Sequence, residues 1–195
     1  MHIIGLTGGS GTGKSTVRAY LCQLGAGAVD ADAVYRQLCM ENKEMLQRLQ
    51  AAFGAVLTED GQLDRSALAK IVFSDAEKLK QLNTITIPYI EQASMQAIEA
   101  QKEKAIVLYD APTLFETGLD RICKAVIGVL ALRETRIERI MQRDDLSKAA
   151  ACARIDAQPH DDFYEKKCRW ILRNDGDIKT LYTQTEAVFE QLLHL

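Results

Sequence analysis

One stretch near the start of the chain constrains the fold more than any other. Residues 8–15 read GGSGTGKS and match the G-x-x-x-x-G-K-[ST] pattern of a phosphate-binding P-loop. Before them, residues 2–7 are short and apolar enough for a buried parallel strand. After them, residues 16–24 carry apolar side chains at helical spacing. The motif therefore lies between a strand and a helix, which is the setting that phosphate binding requires.

The residue types in the motif explain its chemistry. Glycines let the backbone approach phosphate oxygens without a clash from Cβ. Backbone N–H groups of the loop and of the first helical turn point at the anion, and the helix dipole adds to the attraction. We expect Lys14 to reach the β- and γ-phosphates of a nucleotide and the Ser15 hydroxyl to coordinate Mg²⁺. A glycine-rich turn without a ligand is the alternative, and the flanking strand, helix and Lys-Ser pair argue against it.

Composition limits the classes of protein that fit the chain. Its 195 residues, 47% hydrophobic and 26% charged, suit one globular core or one core with an inserted subdomain. The net charge of −3 offers no basic field for nucleic acid, and no apolar run is long enough to span a membrane. Five widely spaced cysteines without a C-x-x-C pair predict reduced thiols in a cytoplasmic protein and no zinc site. We expect a monomer. We also expect no signal peptide, because the chain enters its first strand at once.

Two aspartates follow the second predicted strand, residues 27–29. Ligands of open α/β sheets bind beyond the carboxyl ends of the strands, so Asp30 and Asp32 are expected at the rim that carries the P-loop. In extended backbone, residues i and i+2 share one face. A carboxylate there can accept a proton from an attacking hydroxyl or hold Mg²⁺ through water. For Asp32 the alternative is the N-cap of the next helix, and position alone does not decide between the two; Asp30 alone is expected to be structural.

A long block without strand patterns comes next, residues 33–103. The spacing predicts one helix over 33–53, another that starts after Asp64 as N-cap and includes Phe73, and one or two more over 77–101, interrupted at the proline. A crossover between parallel strands needs only about a dozen residues. The block is therefore predicted to be an inserted helical subdomain, which commonly supplies the pocket for a second substrate.

The third predicted strand, residues 105–109, ends in an acidic residue. This residue, Asp110, stands where a Walker B carboxylate would hold Mg²⁺, directly or through water. Pro112 and Gly118 shape the loop that follows. In that loop Glu116 is either a substrate ligand or a surface carboxylate, and spacing does not separate the two.

The fourth predicted strand, residues 125–131, leads into an arginine-rich helix. Arg136, Arg139 and Arg143 recur at i, i+3 and i+7 and share one helical face. Such a stripe is usually solvated and paired with carboxylates. In a P-loop protein it can instead clamp phosphates and stabilise transferring charge from a lid. A second helix, N-capped by Ser147, completes the predicted lid.

The order of these elements resembles the dephospho-coenzyme A kinase family. Nearly the whole chain takes part, and the family hallmarks appear as GLTGGSGTGKST at 5–16, Leu24-Gly25, Asp30-Ala31-Asp32, DGQLDR at 60–65, Val72-Phe73, Asp110-Ala111-Pro112, Leu114-Phe115-Glu116, Arg139, Arg143-Asp144, Arg154, Gln158 and Asn174-Asp175-Gly176. The P-loop half alone is generic. The Asp-x-Asp, the Asp-Gly-x-Leu-Asp-Arg run and the Asn-Asp-Gly are specific when they occur together.

The resemblance implies transfer of the γ-phosphate of ATP to the ribose 3′-hydroxyl of dephospho-CoA with Mg²⁺, the final step of coenzyme A biosynthesis. It implies Asp32 as general base, with Lys14 and Arg139 as further catalytic residues and Ser15 as metal ligand. Contacts to the nucleotide are implied for Gly11, Thr12, Gly13, Lys14, Ser15, Thr16, Arg143 and Asn174. Contacts to the acceptor are implied for Thr7, Asp32, Asp110, Pro112, Leu114 and Glu116.

The predicted fold class is α/β, a three-layer P-loop kinase fold. It has a five-stranded parallel sheet flanked by helices, with a helical substrate-binding insert and a helical lid. A fifth strand over 169–173 and a final helix over 178–195 complete the pattern. The chain is divided into a core of residues 1–32, 104–132 and 168–195, an insert of residues 33–103 and a lid of residues 133–160.

Several positions depart from the family pattern, and they cluster in the parts that bind the acceptor or form the lid. Ile87 stands where the family has histidine, and Thr113 stands where a second leucine follows Asp-x-Pro. Pro159-His160 replace Met-Pro, and Tyr164 takes the place of a lysine. Two alternatives stay open, a kinase for another small hydroxyl or nucleotide acceptor and a nucleotide-binding protein without catalysis.

Overall fold

The predicted strands assemble into one five-stranded sheet with the order β2-β3-β1-β4-β5. The computed structural model describes residues 1–72 and 74–195. The strands are β1 His2–Thr7, β2 Gly27–Asp30, β3 Ile106–Asp110, β4 Ala125–Leu130 and β5 Trp170–Arg173. The pairs β1–β3, β1–β4 and β4–β5 are parallel. The predicted α/β class with a parallel sheet flanked by helices is confirmed.

Most of the helices begin and end close to the predicted positions. They are α1 Lys14–Gln23, α2 Ala31–Glu41, α3 Lys43–Phe53, α4 Arg65–Val72, α5 Ala76–Glu99, α6 Arg133–Asp144, α7 Lys148–Asp156, α8 Asp161–Lys167 and α9 Ile178–Leu193. Phe73, which the sequence placed in the helix after Asp64, lies outside the described residues. No helix among residues 1–72 and 74–195 is both long and apolar enough to cross a membrane.

The chain forms two compact units. One comprises Met1–Val29 and Gln101–Leu195, and the other comprises Asp30–Ala100. Each unit has a hydrophobic core of its own. The predicted functions of the insert and the lid are not decided by this division and stay predictions.

The core of the first unit lies between one face of the sheet and two helices. Ile4 and Leu6 of β1 are completely buried against apolar residues of α1 and α9, which include Leu21 and Leu192. Because side chains alternate along a strand, the intervening residues of β1 face the other way. On that second face α8 packs against β4 and β5. Strands β3 and β4 are buried along their whole length, which explains why they read as continuous apolar runs.

The second unit differs from the sequence prediction in two places. The single helix predicted over 33–53 is wrong, because α2 and α3 are separated at Asn42, whose side chain accepts a 2.9 Å hydrogen bond from the Met45 N–H. The predicted interruption at Pro88 is also wrong, because α5 runs unbroken through it. Packing of α5 against α2, α3 and α4 offsets the hydrogen bond that proline cannot donate. The predicted cap at Asp64 is confirmed by a 2.9 Å bond from the Ala67 N–H.

The Asp30-Ala31-Asp32 segment is also arranged differently from the prediction. Asp30 ends β2 and caps α2, since its Oδ1 accepts a 2.9 Å hydrogen bond from the Ala33 N–H. The structural reading of Asp30 is therefore confirmed, and Asp32 is not the N-cap. Asp32 lies in the first turn of α2 rather than in extended backbone, so the expected shared face of an extended strand is wrong. The side chain of Asp32 is exposed.

Candidate active site

The P-loop joins the central strand β1 to α1. In the sheet register, Leu6 of β1 pairs with Asp110 of β3, so the two strands end side by side at the carboxyl rim. Gly13 has a φ of 92° and directly precedes α1, and a Cβ there would collide with the side-chain amide of Asn174. Only glycine satisfies both conditions. Within the described residues no side chain caps α1, which suits a helix whose first N–H groups bind an anion.

Two cations from α1 meet the buried carboxylate at the end of β3. Asp110 is only 3% exposed. Lys14 forms an ion pair with its Oδ1, and Arg18 Nη1 lies 3.0 Å from its Oδ2. Sequence reasoning missed Arg18, although its position four residues after Lys14 puts both on one helical face.

A second group of polar contacts holds Ser10 of the P-loop. Gln158 accepts a 2.9 Å bond from the Ser10 N–H through Oε1 and donates a 3.0 Å bond from Nε2 to Ser10 Oγ. Arg136 donates from Nε to the Ser10 carbonyl and from Nη2 to Gln158 Oε1, both at 2.9 Å. We call Ser10, Arg136 and Gln158 the Ser10 clamp. Arg136 is 5% exposed, and this burial lowers the pKa of its guanidinium.

Arg139 contacts the next part of the P-loop. Its guanidinium donates to the Gly11 carbonyl at 3.3 Å and to the Asn174 carbonyl at 3.2 Å. Asn174 in turn donates from Nδ2 to the Thr12 carbonyl at 2.8 Å. Three predicted nucleotide ligands, Thr12, Asn174 and Gly11, are thus joined to the predicted catalytic arginine.

The third arginine of the predicted stripe has a different environment. Arg143 forms two 2.8 Å hydrogen bonds with Asp144, which also pairs with Arg154. These bonds hold the pKa of Asp144 at about 2, with the Arg143 hydrogen bond as the largest cause. For Arg143 the described structure therefore shows the carboxylate pairing that the sequence left open as an alternative. Its contact with phosphate stays a prediction.

The loop after β3 contains the other predicted acceptor contacts. Thr7 Oγ1 donates to the Pro112 carbonyl at 3.2 Å, which ties this loop to the end of β1. Glu116 is exposed, whereas Leu114 is completely buried in the interior of its unit. Substrate contacts by these side chains stay predictions.

An aromatic cluster beside this loop was not predicted from the sequence. Phe115 and Phe163 meet edge to face with centroids 5.7 Å apart. The Lys167 ammonium lies 4.9 Å and 4.7 Å from their ring centroids. Tyr164 packs edge-on against Phe163 and is 2% exposed, and desolvation raises its pKa to about 12. Tyr164, which stands where the family has a lysine, is therefore a core residue. Lys167, three residues later, contacts the aromatic rings instead.

The few oxygen donors at the rim suit Mg²⁺, which needs only one or two protein ligands, better than a metal that is coordinated by protein side chains alone. Ser15 lies in the first turn of α1 with an exposed side chain, and Asp110 offers a carboxylate. No group of three or more His, Cys, Asp or Glu residues suited to a metal occurs among the described residues. Magnesium typically takes one or two protein oxygens and completes its shell with substrate phosphates and water.

The fold and the site define the class of P-loop kinases. The sheet is parallel, a P-loop follows its central strand, and arginines from a later helix contact that loop. Residues 2–180 match the family model described as dephospho-CoA kinase, and the chain belongs to this family. The resemblance drawn from the sequence motifs is thereby confirmed.

Individual relatives agree with the family assignment over nearly their full length. A dephospho-CoA kinase from Moorella thermoacetica is 39% identical over 196 residues, which cover 98% of this chain and 92% of that protein. One from Latilactobacillus sakei is 36% identical, with 99% and 96% covered. A crystal structure of a Thermus thermophilus protein superposes with a TM-score of 0.85 at 36% identity, covering 98% of this chain and 97% of that one. The dephospho-CoA kinase from Campylobacter jejuni gives 0.61 at 26% identity, with the same coverage.

Proposed function

We propose that the protein transfers the γ-phosphoryl group of ATP to the ribose 3′-hydroxyl of dephospho-CoA, which yields coenzyme A and ADP. One observation carries the proposal: in a chain of this family, Arg139 and Asn174 donate hydrogen bonds to P-loop carbonyls. Lys14, the lysine of the motif, lies at the end of the same loop. Nucleotide binding alone does not require an arginine at this place. We further propose a cytoplasmic location, since the cysteine pattern predicts reduced thiols.

In the proposed mechanism, charge neutralisation at the γ-phosphate comes chiefly from the P-loop side of the site. Lys14 turns from Asp110 to the phosphates, and Arg139 donates to the transferring group from α6. Bound Mg²⁺ would neutralise further charge on the phosphates, with the Ser15 hydroxyl supplying an oxygen ligand. Catalysis of this kind is mostly positioning and electrostatic stabilisation.

Asp32 is the proposed general base. The proton of the acceptor 3′-hydroxyl passes to the Asp32 carboxylate as the hydroxyl oxygen forms its bond to the γ-phosphorus. The bond from that phosphorus to the β–γ bridging oxygen breaks, and its electron pair leaves with ADP. Asp32 is exposed in the first turn of α2, which suits the role. Asp30 caps the same helix.

The test measures ADP release by the purified protein with Mg-ATP, with and without dephospho-CoA, together with the mass of the product. We expect ADP release that depends on dephospho-CoA and a product heavier by one phosphate. ATP binding without such turnover would refute the proposed acceptor. Other small hydroxyl acceptors would then be assayed, chosen for their fit to the helical insert around Ile87, which is half-buried in α5.

The variant Asp32→Asn tests the proposed base separately. Loss of general-base catalysis should lower kcat by about 10²-fold or more while ATP binding is kept. Asp30→Asn is the matched control, because the side-chain oxygen of asparagine can still cap α2. Near wild-type turnover of Asp32→Asn would remove Asp32 from the mechanism.

A further inference from the structure

Asp110 is paired with two cations, and only Lys14 belongs to the P-loop motif. The side chain of Asp110 is 4% exposed, and those of Lys14 and Arg18 are 18% and 30% exposed. Lys14 takes Oδ1 and Arg18 takes Oδ2. Each carboxylate oxygen thus has a cation of its own, in a place that is largely withdrawn from water.

The two cations are expected to have different roles when a nucleotide binds. The lysine of a P-loop contacts the β- and γ-phosphates, so Lys14 is expected to leave Asp110 for the nucleotide. Arg18 lies one turn further along α1, and nothing in the P-loop motif assigns it to a phosphate. A buried carboxylate that loses a cation becomes less stable, because its charge is no longer balanced. The exchange of Lys14 from Asp110 to ATP is therefore easier when a second cation stays behind.

We propose that Arg18 is a positioning residue that holds the Asp110 carboxylate in place and balances its charge while Lys14 binds the phosphates of ATP. This inference rests on the ATP-binding part of the proposed function. Arg18 acts through Asp110 and needs no contact with either reactant. Its planar guanidinium keeps its charge at any working pH, which suits this task.

The inference is tested by titrating Mg-ATP into the full chain in a calorimeter, without an acceptor. Arg18→Met and Arg18→Gln should each weaken ATP binding by about tenfold, as expected for coupled charged neighbours. Arg18→Lys should stay within about threefold of the wild type, because it keeps one positive charge near Asp110.

A double-mutant cycle separates this role from a general loosening of α1. With Asp110→Asn there is no carboxylate charge to balance, so adding Arg18→Met should change ATP affinity by less than about twofold. A merely structural arginine would cause the same loss in both backgrounds. Arg169→Met serves as the matched control, since Arg169 contacts the Trp170 ring at the start of β5 and should bind ATP like the wild type.

Three results would overturn the inference. They are ATP affinity within about twofold of wild type in both Arg18→Met and Arg18→Gln, an undiminished loss in the Asp110→Asn background, and an equal loss in Arg169→Met. The proposed function fails in a different way, through wild-type protein that does not turn over dephospho-CoA. Because the calorimetric experiment contains no acceptor, the two failures are distinguishable.

Discussion

Three arginines of α6, at helical spacing, are used differently. Arg136 and Arg139 donate to the carbonyls of Ser10 and Gly11. Arg143, in the last turn, is exposed and pairs with Asp144. The helix backbone also packs against the P-loop at Arg136, since a Cβ on Gly11 would lie 2.7 Å from the Arg136 carbonyl oxygen.

This difference shows what helical periodicity does and does not decide. Spacing places the three arginines on one face, but distance along the helix decides which of them meets the P-loop. An α-helix rises by about 1.5 Å per residue, so Arg143 lies roughly 10 Å further along than Arg136. The first two arginines therefore contact the P-loop, and the third belongs to a surface ion-pair group with Asp144 and Arg154.

The sharpest test of the comparison is Arg139→Met against Arg143→Met. We expect Arg139→Met to lower kcat by about 10²- to 10³-fold, the size seen when one preorganised charge donor is lost from a transition state. Arg143→Met should lower kcat by less than about tenfold, because its guanidinium is shared with Asp144. Steady-state kinetics with dephospho-CoA measure both. Equal losses would show that α6 is used along its whole length.

A smaller effect should follow from breaking the Ser10 clamp. Arg136→Met leaves the Ser10 carbonyl without its donor, and an unmet buried hydrogen bond costs about 1–3 kcal/mol. For a chain of this size the thermal midpoint should fall by about 3–10 °C. The matched control is Arg133→Met, whose exposed ion pair with Asp156 should matter by about 2 °C or less. Similar shifts in both variants would contradict the structural role of the clamp.

The sequence determined most of the sheet and the P-loop because their signals are local. A buried strand, a glycine-rich turn and a helix follow one another at 2–24, and Ser147 caps α7 as predicted, with a 3.2 Å bond from the Ala150 N–H. The role of Asp64 as a cap was equally local. Such features depend on a few neighbouring residues, and tertiary contacts do not change them.

The missed features depend on contacts between distant residues. Arg18 forms its ion pair with Asp110, which is 92 positions away in the chain. Gln158 likewise bonds to Ser10 from a distant part of the chain. Pro88 lies within a continuous helix because α5 is packed along its length. The short helix α8 was not predicted, and its Phe163 is positioned by contact with Phe115 from a distant part of the chain. One sequence does not show which distant groups will meet.

The smallest predicted effect concerns the surface ion-pair group at the end of α6. The pKa of Asp144 is lowered from 3.8 to about 2 in the folded chain, so its pairing stabilises the fold fully above pH 4. This contribution is lost as the pH falls from about 4 to about 2, since the carboxylate is protonated in that window. Thermal midpoints of the wild type and Asp144→Asn should therefore differ slightly at neutral pH, approach each other as the pH falls below 4 and converge near pH 2.

The side chains of this group are partly exposed, so the difference at neutral pH should be about 2 °C or less and should shrink in high salt. Asp145→Asn is the matched control, because the neighbouring carboxylate stands in none of the ion pairs of the described residues. A midpoint difference that persists unchanged to pH 2 would mean that the Asp144 pairing does not depend on its charge. Arg143 would then be held by something other than this carboxylate, and its contrast with Arg136 and Arg139 could no longer be assigned to the ion pair with Asp144.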